Sequence, residues 1–247
     1  MLTDPEVFRL GVNYWPAEKA MDWLVDYDPL ATRRDFLRAG SAGMDSVRVF
    51  VRWADVQPGE KTVDPGVLGN LVDAADAGVE LIVTLFVGHM SGVNWVPAWA
   101  TGGTDGDTRF RVVIPGAAPE GSRVLRNWYS DPGVTAAQER LARSVAGALS
   151  GHAGVWMWDL GNENSNCTIP PDAGTAEAWL HRMTSAIRSC DPGRPITSGL
   201  HMEDLEDDRR IGPAEVARHC DVVSMPCSDG PAARSELAGH EHRGVHG

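Results

Sequence analysis

Asn162 and Glu163 follow directly on the apolar stretch Val155-Trp156-Met157-Trp158-Asp159-Leu160, so an amide and a carboxylic acid stand where a buried strand ends. A carboxyl in that place, with an amide beside it, is the equipment of an acid/base that cleaves sugars. In a barrel of parallel strands such groups work at the C-terminal strand ends, where side chains leave the packed interior. Asn-Glu dipeptides are common, so the pair gains meaning only from its surroundings. Trp15, Trp53, Trp95, Trp99 and Trp158 lie at or just past apparent strand ends, where an indole face can stack on a sugar ring and its N–H can donate to a hydroxyl. Trp23 and Trp179 read as core residues.

The elements that must position these groups alternate short apolar runs with helical segments, the pattern of an α/β chain with a parallel sheet and crossover helices. Strands are expected at Arg9 to Tyr14, Ser46 to Val51, Glu80 to Phe86, Val155 to Leu160, Ile196 to Leu200 and Asp221 to Met225. Asp28-Pro29, Asp64-Pro65 and Asp131-Pro132 each offer a capping carboxylate and a proline suited to the first helical position, and a further helix is expected from Asp172. A short helix is expected over Pro213 to Arg218. Residues 88 to 130 form a long connection rich in Gly, Thr, Asp and Pro, and long structured loops in compact domains are more often functional than idle. Glu203, Asp204, Asp207 and Asp208 read as a solvated acidic loop, and Asp159 as an anchor for backbone or arginine.

Composition sets the outer limits. A chain of 247 residues can bury one sizeable core, and no linker divides it. The net charge of −12 argues against a nucleic-acid partner, whose phosphates demand clustered Lys and Arg. Cys167, Cys190, Cys220 and Cys227 have neither the spacing of a zinc site nor that of a disulfide framework, so no metal and no cofactor is expected. No apolar run is long enough to cross a bilayer, and the first residues lack the order of a secretion signal, so the expectation is a cytoplasmic protein without a membrane partner. From Pro226 to Gly247 only Leu237 and Val245 are large aliphatics, and no strand or amphipathic helix can be drawn. Two parts are therefore expected: a domain over 1–225, and an irregular tail over 226–247 whose Ala, Arg, Gly, Pro and His are what shifted GC-rich codons encode.

Taken in order, the motifs resemble glycoside hydrolase family five, the cellulases, mannanases and related retaining β-glycosidases of the clan of eight-stranded barrels. The resemblance covers about residues 8 to 225. It rests on Gly11-Val12-Asn13-Tyr14-Trp15-Pro16, Val47-Arg48-Val49-Phe50 with Trp53, Thr84-Leu85-Phe86 leading to Gly88-His89-Met90-Ser91-Gly92, Trp158-Asp159-Leu160-Gly161-Asn162-Glu163, and Gly199-Leu200-His201. It implies a (β/α)8 TIM barrel, incomplete here because about six βα units are visible. It further implies Glu163 as acid/base, Asn162 as a hydrogen-bonding partner of the sugar 2-hydroxyl, and Arg48 as the residue that orients the nucleophile. His89 and His201 would join Trp15, Trp95 and Trp99 in holding a carbohydrate substrate. Retaining enzymes need a second carboxyl about 5 Å from the first. The family supplies it at the end of strand seven, and nothing after Met225 resembles that strand. Glu236 and Glu241 lie in the tail with no strand before them. The expected function is hydrolysis of β-linked glycans or oligosaccharides by the cellulase/mannanase-type retaining mechanism, in a chain without an assigned nucleophile. The alternative is a non-catalytic carbohydrate-binding or scaffold protein on the same fold. An open barrel also invites an oligomer or a completing chain.

Overall fold

The computed structural model describes residues 8–76, 78–103, 109–117 and 124–225. The tail over 226–247 lies outside them. Six strands form one sheet in chain order: β1 (Gly11–Tyr14), β2 (Ser46–Arg52), β3 (Glu80–Val87), β7 (Val155–Asp159), β8 (Ile196–Gly199) and β9 (Val222–Ser224). Every pairing is parallel, so this is an arc of a (β/α)8 barrel with its helices outside. The helices are α1 (Pro29–Ser41), α2 (Trp53–Val56), α3 (Gly66–Ala75), α4 (Pro132–Ala148), α5 (Ala173–Arg188), α6 (Glu203–Glu206) and α7 (Pro213–His219). The capping aspartates act as their sequence suggests. Asp28 accepts from the N–H groups of Leu30 and Ala31, Asp131 from Gly133 and Val134, and Asp172 from Thr175, each satisfying donors that the first turn leaves free. Four expected strands are shorter than drawn: β1 begins at Gly11, β7 ends at Asp159, β8 ends at Gly199, and β9 spans three residues.

Alternation along the strands separates the outer core from the barrel interior. Val47, Val49 and Val51 of β2 and Leu81, Val83 and Leu85 of β3 join the hydrophobic cluster beneath the helices, while Arg48 and Thr84 stand on the opposite face. The register between β3 and β7 pairs Leu81 with Val155 but Ile82 with Met157, so Trp156 is an extra residue and the phase of β7 changes after it. Asp159 thereby pairs with Thr84 and shares the interior face with Arg48, whereas Trp158 pairs with Val83 and turns outward. The expectation that Trp158 meets a sugar is corrected: it is 0 % exposed, and its N–H donates to Asp191. Trp53 is corrected likewise. It is also 0 % exposed, packed edge-on against Trp99 and Trp128, with its N–H donated to Gln57 Oε1 at 2.6 Å.

The long connection is not irregular throughout. It holds a small second sheet of β4 (His89–Met90), β5 (Val93–Trp95) and β6 (Val112–Val113), which carries His89 over the end of β3. Trp128 and Tyr129, at its far end, are buried core residues.

Candidate active site

Arg48 organises the interior end of the sheet. Its Nε donates to Asp159 Oδ2 at 2.9 Å and to Thr84 Oγ1 at 3.0 Å, and its Nη2 donates to Asp159 Oδ2 at 2.5 Å and to the Gly161 carbonyl at 3.3 Å. Its Nη1 donates to Asn162 Oδ1 at 3.1 Å. Thr84 and the Gly161 N–H complete the shell of Asp159, whose side chain is 1 % exposed. The guanidinium also lies over the Phe50 ring, and Phe50 stacks on Trp15 with centroids 4.7 Å apart. Trp15 is thus held flat beside the arginine.

Beyond β7 the backbone turns sharply. Gly161 is required there, because a Cβ would come within 2.3 Å of the Asn164 amide. Glu163 itself takes the left-handed conformation, φ 52° and ψ 46°, which non-glycine residues adopt rarely and at a cost of about 1 to 2 kcal/mol. Asn162 is clamped at both ends of its amide, since Nδ2 also donates to the His89 carbonyl at 2.9 Å.

The Glu163 carboxyl is 15 % exposed and lies at the C-terminal mouth of the sheet, with Oε2 3.7 Å from His89 Nε2 and 3.3 Å from Asn166 Nδ2, which donates to it. Burial raises its pKa above the ordinary carboxylate range, against the opposing effects of His201, Asn166 and Arg48. Burial likewise lowers the pKa of His89. Asn94 Nδ2 donates to the Asn166 carbonyl, so Asn94 Oδ1 must accept, and His89 carries its proton on Nδ1 at 2.8 Å from it. The Nε2 lone pair then faces Glu163. His201 accepts the Glu203 N–H on Nδ1, which leaves the proton on Nε2.

The structure gathers Glu163, Asn162, Arg48 and His89 into one bonded cluster, with Trp15 joined through Phe50 and His201 close enough to act on the Glu163 charge. Trp95 and Trp99 stand apart. Their indole N–H groups donate to the Met90 and Gln57 carbonyls, and Trp99 packs on Trp53, so any role with sugar is left to ring faces. The solvated acidic loop is corrected in part: Asp207 and Asp208 are exposed, but Asp204 is buried, accepting the His201 N–H, and Glu203 pairs with Arg109 and with buried Arg209. Sequence reading missed Asn94, Asn166 and Arg209. Among them only Asn166, three residues after Glu163, carried a positional signal. Among the described residues no group of His, Cys, Asp and Glu is arranged to hold a metal ion. A cleft of about 760 Å³ between Gly103, Asn127, Pro171 and Arg210 opens elsewhere, and Glu163 does not line it.

No protein-family model and no curated protein sequence matches the chain. Solved structures do. A GH5_18 enzyme from Streptomyces cattleya, in complex with GlcNAc, is 28 % identical with a TM-score of 0.73, over 88 % of this chain and 50 % of its own. A variant of the Streptomyces cattleya enzyme holds Manb1-4GlcNAc. The exo-beta-1,4-mannosidase Op5Man5 from Opitutaceae bacterium strain TAV5 is 28 % identical with a TM-score of 0.71, over 89 % of this chain and 38 % of its own. The chain spans about half or less of the length of these enzymes. In fold and in the order of its motifs, it has the architecture of glycoside hydrolase family five, with six of the barrel's strands among its described residues.

Proposed function

We propose that the chain belongs to a retaining β-glycosidase acting on β-linked mannosides of the Manb1-4GlcNAc kind, and that Glu163 is its acid/base. The observation that carries the reading is the buried Glu163 carboxyl at the mouth of the sheet, with its proton affinity raised by burial and a clamped asparagine beside it. An acid must hold its proton near neutrality to protonate a leaving oxygen, and desolvation favours the neutral form. The sugars bound by the structural neighbours favour mannosides within the wider class of β-glycans.

In the proposed reaction Glu163 gives its proton to the departing glycosidic oxygen and later takes one from water, as retention requires. Arg48 has spent its Nε, both Nη2 protons and one Nη1 proton on Asp159, Thr84, Gly161 and Asn162. Its remaining Nη1 proton is free, among the described residues, for a carboxylate or a sugar oxygen. His201 offers the Nε2 proton, and Trp15 the ring face turned away from Phe50. No described residue is assigned as nucleophile.

The test joins residues 1–225 to strands seven and eight of the Streptomyces cattleya relative and measures hydrolysis of Manb1-4GlcNAc and of a nitrophenyl β-mannoside. Turnover is expected, and Glu163→Gln should cost about 10² to 10⁴-fold on the disaccharide but far less on the nitrophenyl glycoside, whose leaving group needs no acid. Binding without turnover would favour the non-catalytic carbohydrate-binding alternative. Absence of both binding and turnover would refute the proposal.

A further inference from the structure

The 3-10 turn Asn164–Asn166 beneath Glu163 contains a buried amide whose every polar group is engaged. Asn166 Nδ2 donates to Glu163 Oε2 at 3.3 Å, and its Oδ1 accepts from Arg209 Nη1 at 2.8 Å. The Asn166 carbonyl accepts from Asn94 Nδ2 at 3.1 Å, and its N–H donates to the Glu163 carbonyl at 2.9 Å. A guanidinium has only donors, so the end of the amide that faces Arg209 must be its oxygen, and the end that faces Glu163 must be its NH2. The orientation is therefore fixed by chemistry. Arg209 is itself buried and held by the Ser165 hydroxyl at 3.2 Å and by Glu203 at 3.2 Å, so the clamp cannot swing without breaking an ion pair.

We propose that Asn166, oriented by Arg209 and Asn94, is the positioning residue of Glu163, and that it selects Oε1 as the oxygen that carries the acid's proton. The inference rests on the reading of Glu163 as an acid. Oε2 meets the Asn166 N–H donor at 3.3 Å in both protonation states, which disfavours a proton there, while the His89 Nε2 lone pair, 3.7 Å from Oε2, lies beyond hydrogen-bond reach and does not draw the proton to it. Oε1 has no hydrogen bond among the described residues and is left to hold the proton and present it to a leaving oxygen. A turn that served only as structure would not need its amide fixed against the carboxyl. The donor also opposes burial, because a hydrogen bond to the charged form favours ionisation. Asn166 thus limits how far the proton affinity of Glu163 rises, which an acid that must also act as base requires.

The test needs no turnover. Carbon-13 NMR of the glutamate carboxyls follows the titration of Glu163, assigned by its loss in Glu163→Gln, in the wild-type chain, Asn166→Ala and Asn166→Asp. The midpoint should move upward in Asn166→Ala, which lacks the donor, and further in Asn166→Asp, which sets a second carboxylate beside Oε2 while keeping an acceptor for Arg209. In the wild type the Asn166 side-chain N–H2 resonances should titrate with the same midpoint and stop doing so in Glu163→Gln. That measurement decides the matter even if both Asn166 variants unfold. Unchanged midpoints in folded variants, or N–H2 resonances indifferent to the Glu163 titration, would overturn the proposal. Such a failure would leave the glycosidase reading standing, and a failed hydrolysis assay would leave this coupling measurable.

Discussion

Replacing Arg48 with methionine keeps most of the side-chain volume and removes the charge that Asp159 faces. Asp159, 1 % exposed, would retain the Thr84 hydroxyl and the Gly161 N–H but lose both guanidinium bonds. Breaking a buried pair from one side costs about 3 to 5 kcal/mol, because the remaining charge is stranded. Two retained donors, and the 18 % exposure of the Arg48 side chain through which water can reach the gap, place the expected loss near the lower end, at about 3 kcal/mol. The double variant Arg48→Met with Asp159→Asn removes the stranded charge and should recover about half of that loss, a coupling that marks direct interaction. Urea unfolding followed by tryptophan fluorescence measures Arg48→Met, Asp159→Asn and the double variant. Should Arg48→Met not fold, Arg48→Lys keeps the charge but loses the planar fork, and is expected to cost about 1 to 2 kcal/mol. A loss below about 1 kcal/mol in Arg48→Met, or additive losses in the cycle, would refute the view that this pair holds the interior end of the sheet.

Glu163→Gln should stabilise the chain at neutral pH. A carboxyl whose folded pKa lies above its unfolded one binds its proton more tightly when folded, so its contribution is fully present below the unfolded value and is lost as pH rises through the folded one. Urea midpoints of wild type and variant should therefore converge in acid and separate toward neutrality, and parallel curves would contradict the assignment. Gly161→Ala sets a methyl 2.3 Å from the Asn164 amide and should cost about 1 to 3 kcal/mol while displacing the Glu163 turn, read as shifted backbone amide resonances at 162–166. Among the described residues, the outer strands β1 and β9 each pair on one side only and expose Val12 and Val223. The chain should self-associate through these edges, and Val12→Lys with Val223→Lys should reduce the association seen in sedimentation. Equal association by wild type and double variant would exclude the edges as its cause.

The order of elements was legible because each carries a local signal: an aspartate-proline pair opens a helix, and a β-branched run marks a strand. That Glu163, Asn162, Arg48 and His89 come together was legible because each stands at or near a strand end in a recognisable motif. Trp158 was misread for a physical reason. Strict alternation from Val155 would send it inward, and the extra residue at Trp156 reverses the phase, so that Asp159 takes the interior instead. A bulge depends on the partner strand and leaves no mark on composition. Asp204 was misread because an acidic run on a helix turn looks solvated until its counter-ion is known, and Arg209 is brought to it by folding. Asn94 and Arg209 were invisible for the same cause, since their contacts with Asn166 span 72 and 43 residues.

The direction of the Glu163 shift follows from how charge is disposed around it. An arginine near a carboxyl ordinarily holds that carboxyl ionised, and Arg48 acts on Glu163 in that sense. Yet Arg48 is bound through two nitrogens to Asp159, which lies deeper in the interior, so the pair presents little net charge to the mouth of the sheet. His89 adds none, because burial keeps it neutral and Asn94 holds its proton on the far nitrogen. Asp204 adds a repulsion of its own. Desolvation outweighs the opposing effects of His201, Asn166 and Arg48, so Glu163 holds its proton more tightly than an exposed glutamate does. Asp159 therefore bears on the proton affinity of Glu163 without touching it. Removing that carboxylate while leaving Arg48 in place would free a cation beside Glu163 and should lower its proton affinity.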